Sequence, residues 1–198
     1  MYTNHMDDEF QIKRIISDLE KESEEKLFFF HQGLGAEVHW FFSQAVQALK
    51  SELYLPACTS FLCGIEASLR ITMAQVEKPT RITQLDASKL LSNRLLKVAY
   101  EKNLPIETLA FPNEDDFLAK LFENDRLKKV NVEIVRTRHN LCHGNILEFV
   151  NTNLGEDFAF FTPECCRELA LTLYYISKKW AYELGIFRTS MLKEINKF

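Results

Sequence analysis

Residues 136–145 read RTRHNLCHGN, placing two arginines and two histidines in ten positions and closing on glycine and asparagine. Guanidinium keeps its charge throughout the physiological pH range and grips phosphate or carboxylate through parallel N–H donors. Imidazole, as a class, exchanges protons near neutrality, which suits transfer to or from a hydroxyl. The stretch therefore has the side chains to hold an anion and move a proton.

A purely structural role accounts for part of it. Cations near the C-terminal end of a helix are favoured by the macrodipole, and Gly144 is an ordinary residue just past such an end. Arg136, His139 and His143 fit that description. Arg138 does not, because helical spacing puts Ile134 behind it and Leu141 and Cys142 ahead of it, on the apolar face. A guanidinium is costly to bury unless an acid or a bound anion satisfies it. Glu66, on another long apolar helix, is one partner, and a phosphate is another. In a straight helix Arg138 and His143 lie about 7.5 Å apart along the axis and roughly 140° apart around it. They would meet on one small ligand only if the helix unwound near Gly144 or a second subunit completed the site.

The elements that must position this stretch are helical. Apolar residues at Phe10, Ile12, Ile15, Ile16 and Leu19 predict a helix over about 7–26, and HQGLG at 31–35 breaks the chain. A second helix follows over about 36–51. Cys58, Phe61, Leu62, Ile65, Leu69 and Met73 recur at spacings of three and four, predicting a long core helix from Pro56 to about Val76 with Glu66 beside the stripe. Helices are also expected over about 87–103, from about Asp115 to near Asn124, and over 130–142. The runs ILEFV and DFAFF around NTNLGE suggest a β-hairpin over about 146–161. Thr162-Pro163-Glu164 then opens a last helix whose stripe is Cys166, Leu169, Leu173, Ile176, Trp180 and Leu184, with Gly185 as its stop. The expectation is one all-α domain spanning 1–198, a bundle of about five or six helices with one short hairpin, the 7–26 helix being peripheral.

Composition narrows the function classes. A net charge of −4 and a pI near 5.8 argue against a protein that coats nucleic acid. From Asp125 to Gly144, however, five basic residues (Arg126, Lys128, Lys129, Arg136, Arg138) face two acids (Asp125, Glu133), a local +3 that leaves −7 elsewhere. A basic patch on an acidic body can still be a phosphate site. The five cysteines follow no disulfide or zinc spacing, so no metal site is expected and free thiols in the reducing cytoplasm are. The N-terminus has no apolar signal core, and LFFF at 27–30 is too short to span a bilayer. HQGLG lacks the strand and the third glycine of a phosphate loop. The aromatic stripe Trp40–Phe42 reads as core or a dimer face.

The segment Arg138-His139-Asn140-Leu141-Cys142-His143, followed by Gly144, resembles the R-x4–6-H signature of the HEPN superfamily. FLCGIEASLR at 61–70 is similar to the family's earlier long helix, which often carries a glutamate in an xxxEAxLR-like stretch. The specific match is those few residues; the rest agrees as helical architecture. The resemblance implies a homodimeric endoribonuclease that needs no metal or cofactor and cleaves RNA by 2′-OH attack in a composite site between subunits. His143 would be the general acid/base, Arg138 would bind the scissile phosphate, and Asn140 or His139 would orient them. Arg136, Lys128 and Lys129 would bind substrate, with Glu66 in support. Such proteins include toxins and antiviral-defence effectors, so an antitoxin or regulatory protein joins RNA and a second copy as an implied partner. The alternative within the family is a catalytically silent module that dimerises or binds a nucleotide or partner. Many members have asparagine directly after the arginine, where His139 stands here. Toxins paired with nucleotidyltransferase antitoxins often carry tyrosine where this chain has Asn145.

Overall fold

The computed structural model describes residues 23–25, 27–35, 37–86, 88–125, 127–152, 155 and 159–195, with the side chains of 194 and 195 excepted. Helical backbone covers 23–25 and 27–31, so most of the helix expected over 7–26 lies outside the described residues. Six complete helices follow: α1 (His39–Lys50), α2 (Tyr54–Glu77), α3 (Asn93–Glu101), α4 (Phe117–Phe122), α5 (Glu133–Cys142) and α6 (Arg167–Ile195). The protein is an all-α helical bundle, as the periodicity predicts.

Helix α2 is the centre of the bundle, with α1 and α6 packed along it and α5 against one side. Its predicted stripe is the core: Cys58, Phe61, Leu62, Ile65 and Leu69 are almost wholly buried. Helix α1 contributes Phe42, Ala45 and Val46. Phe42 stacks on Phe29 at 4.7 Å and lies over Gly64 of α2, where a Cβ would come within 2.8 Å of its ring. Trp40 and Phe41 point outward, so the aromatic stripe divides between core and surface. Trp180, fully buried on α6, donates its indole N–H to Ser68 Oγ at 2.8 Å and so satisfies its only polar atom.

Four features depart from the sequence reading. The helix expected from residue 87 begins only at Asn93. Asp86 Oδ1 instead accepts bonds from the Ser88 backbone and hydroxyl, and the Ser92 side chain then caps Leu95 N–H at 3.3 Å. Thr162-Pro163-Glu164 opens a 3₁₀ turn, Pro163–Cys166, before α6 begins at Arg167. Of the expected hairpin over 146–161, the described residues show a 3₁₀ turn, Leu147–Phe149, and one antiparallel bridge between Asn151 and Phe160. Phe149 and Phe161 of this segment pack against the core, while Leu147 and Phe160 are exposed.

Gly185 does not stop α6, which runs through it to Ile195. The glycine is there for space: a Cβ would sit 2.5 Å from the backbone oxygen of Gln32. Just beyond, buried Arg188 donates from Nε to Gly33 O (2.8 Å) and from Nη1 to Thr72 Oγ1 (3.0 Å), tying the HQGLG turn to α6 and α2. Burial pulls its pKa down.

Gly185→Ala is expected to destabilise the fold by about 1–3 kcal/mol in denaturant unfolding, since backbone must shift to admit the methyl. A gain of about 1 kcal/mol, the helix-propensity effect alone, would show that the close approach does not matter.

Candidate functional site

Helix α5 carries the RTRHNLCH stretch, and residues distant in sequence fix both its ends. At its start, buried Asn93 donates from Nδ2 to Val130 O (2.9 Å) and accepts from Val132 N–H (3.2 Å). Buried Glu114 accepts the Glu133 backbone N–H at 2.8 Å, neutralising one of the helix's unpaired donors from a different element. At its end, Asn145 N–H reaches Asn140 O (2.8 Å) and Gly144 N–H reaches Leu141 O (3.3 Å), the paired bonds of a Schellman closure. Gly144, at φ +74°, takes the left-handed conformation this closure needs, as the sequence predicts. His143 is thereby fixed as the residue that caps the helix.

Arg138 lies on the inner side of α5 with its side chain 16% exposed. Its Nε donates to Glu66 Oε2 at 3.0 Å. Among the described residues its two terminal amino groups have no protein partner. Glu66 is buried and fully engaged: Oε2 also accepts Leu91 N–H at 3.1 Å, and Oε1 accepts Arg70 Nη1 at 3.4 Å. Arg70 donates further from Nη2 to Asp86 O at 2.5 Å, while its Nε is buried without a partner. One carboxylate thus joins α2, α5 and the chain entering α3. The carboxylate that the sequence offered as a partner for Arg138 is in place.

A cleft of about 410 Å³ opens over this cluster. Arg138, Glu66 and Arg70 form its polar part, with Glu37 at the rim and Phe41, Leu62, Ile71 and Leu85 among its apolar walls. Cys63 and Cys142 also line it, from α2 and α5. Burial pushes the Cys63 thiol up, neighbouring Cys142 and Glu66 add to the rise, and Arg138 opposes it.

His143 does not line this cleft. It stands exposed with His139 on another side of α5, ring centroids 4.4 Å apart and planes tilted by 50°. Arg138 and His143 thus serve different faces of one helix, as their spacing predicts. Asn140 is half-buried between them.

Arg136 is not free. It donates from Nε to Glu133 Oε2 (2.9 Å) and from Nη2 to Glu133 Oε1 (2.5 Å), and pairs through Nη1 with Glu148. These acids raise its pKa, and its guanidinium holds the Glu133 carboxyl below the usual range. Lys128 and Lys129 are solvent-exposed, Lys128 lying 3.9 Å from Asp125, and Arg126 lies outside the described residues.

No family model matches the chain, and no curated protein or solved structure matches it significantly. The site is therefore read from its own chemistry. Among the described residues no helix is long and apolar enough to cross a membrane, and no group of three or more His, Cys, Asp or Glu is placed to hold a metal ion.

Arg70, Asn93 and Glu114 are the site residues that sequence reasoning did not single out. Arg70 had a signal, standing four residues after Glu66 on the same helix face. Asn93 and Glu114 had none, since their partners lie tens of positions away for Asn93 and on a separate element for Glu114.

Glu66→Ala leaves two half-buried guanidinium groups without their carboxylate and Leu91 N–H without an acceptor. The expected loss is about 3–5 kcal/mol in denaturant unfolding, with Glu66→Gln losing less because it keeps one acceptor. A loss under about 1 kcal/mol for the alanine variant would mean that solvent, not Glu66, balances these arginines.

Proposed function

We propose that this chain is a HEPN-type, metal-independent endoribonuclease that acts as a cytoplasmic homodimer, with catalytic groups from both copies around one scissile phosphate. The observation that carries the reading is the state of Arg138. Its Nε is used by Glu66, while the terminal amino groups, the pair best shaped to grip a phosphate, have no protein partner among the described residues. Glu66 restrains the guanidinium without consuming its phosphate-binding edge.

In the proposed reaction a His143 imidazole takes the proton from a ribose 2′-OH. The 2′-oxygen forms a bond to phosphorus, and the bond from phosphorus to the 5′-oxygen breaks. A second imidazole, from the other copy, gives its proton to the departing 5′-oxygen. Arg138 neutralises the charge that builds on the non-bridging oxygens. Two copies are required because Arg138 and His143 occupy different faces of α5, so one chain cannot bring both to one phosphate. His139 and Asn140 orient the imidazole and the arginine, and exposed Lys128 and Lys129 attract the RNA backbone. Arg136, already paired with two acids, would contribute after those contacts open. Restraint by an antitoxin or regulatory protein fits a toxin or antiviral-defence effector of this kind.

One observation favours the second reading, a catalytically silent module that dimerises or binds a nucleotide or partner: the Arg138 Nε is engaged by the buried Glu66 carboxylate, as in a structural ion pair.

The test is RNA cleavage by the full chain in excess EDTA. Wild type is expected to cleave, and His143→Ala to lose roughly 10²–10⁴-fold in rate. Equal cleavage by the variant would reject His143 as acid/base. Intact RNA with wild type, together with a dimer or ligand complex that Arg138→Glu disrupts, would favour the silent module.

A further inference from the structure

His139 and His143 are separated by one helical turn, and their rings already lie side by side at 4.4 Å between centroids. Both are exposed, and among the described residues neither ring has a hydrogen-bond partner, so their nitrogen lone pairs are open to an outside ligand. We infer that His139 and His143 form a two-imidazole clasp for a borderline divalent transition ion of the Zn²⁺ and Cu²⁺ class.

Imidazole nitrogen binds such ions at about 2.0–2.1 Å, so two nitrogens on one ion must approach to roughly 3 Å, a short rotation from adjacent rings. The Schellman closure at Gly144 fixes the backbone of this turn in advance, which lowers the entropy cost of bringing in the second ring. The local field is permissive. Arg136 is matched by Glu133 and Glu148, and Arg138, which shares Glu66 with Arg70, faces the cleft on another side of α5. The carbonyl end of α5 itself attracts positive charge. Since no third protein ligand joins them among the described residues, the other coordination positions fall to water or to an incoming group. Hard ions such as Mg²⁺, which prefer oxygen, are excluded by the ligand type.

A bound ion would occupy the His143 lone pair and take it out of proton transfer, so Zn²⁺ would inhibit RNA cleavage. That consequence rests on the proposed function; the clasp does not.

The experiment is calorimetric titration of the full chain with Cu²⁺ or Zn²⁺ alone, using wild type, His139→Ala, His143→Ala and, as a control on a half-buried histidine of another helix, His39→Ala. Circular dichroism verifies that each variant is folded. Expected is a site whose affinity falls at least roughly tenfold in either α5 variant, because the second imidazole acts intramolecularly, and which is unchanged in His39→Ala and silent to Mg²⁺. Wild-type affinity in His139→Ala or His143→Ala, or a loss in His39→Ala, would overturn the clasp. Binding by a protein that cleaves no RNA would uphold the clasp and remove only the nuclease reading. Binding with cleavage unaffected by Zn²⁺ would overturn the inhibitory role.

Discussion

A buried carboxylate with three donors holds the candidate site together. Glu66 takes a guanidinium N–H from Arg138, another from Arg70 and the backbone N–H of Leu91. Remove it, and two positive charges lose their counter-ion at the meeting point of α2, α5 and the approach to α3. Burying a charge is tolerable only when its hydrogen bonds are met inside, and here each oxygen meets that condition. The same constraint sets the geometry of the candidate site. Arg138 is anchored near its middle and open at its tip, an arrangement that places a permanent cation in a cleft without leaving it loose.

The rest of α5 is held with similar economy. Asn93 and Glu114 fix its entrance, and the backbone closure around Gly144 fixes its exit, so ten helical residues are pinned at both ends by groups that play no chemical part. Rigid presentation matters because acid–base and phosphate contacts tolerate little misplacement. With the backbone fixed, the two faces of α5 divide the work. One side offers a guanidinium to a cleft and another offers a pair of imidazoles to solvent, which is why the nuclease reading needs a second copy.

Features governed by local periodicity were legible in the sequence. The stripes of α2 and α6 are core because apolar spacing reports directly which face is buried. Arg138 was legible as an anomaly, a charge in an apolar register, and Glu66 as a partner for it. Gly144 was legible because a helix end needs its backbone freedom. Gly185 misled because glycine also marks close approach, and only the Gln32 carbonyl across the bundle distinguishes the two uses. In the 146–161 segment the apolar residues divide between the core, as Phe149 and Phe161, and solvent, as Leu147 and Phe160, so the runs by themselves do not report strand pairing. The contacts of Asn93 and Glu114 are long-range, so no spacing rule reveals them.

The central claim is that Glu66 holds Arg138 by one N–H so that the remaining guanidinium edge can take an outside anion. ¹⁵N NMR of the arginine side chains, with an RNA oligonucleotide whose 2′-hydroxyls are methylated and cannot attack, tests it directly. The Arg138 Nε–H signal, assigned by its loss in Arg138→Lys, should be slowed in solvent exchange by Glu66, lose that protection in Glu66→Gln, and shift as RNA is added to wild type. A signal indifferent to saturating RNA, or equally protected without the Glu66 carboxylate, would contradict the account.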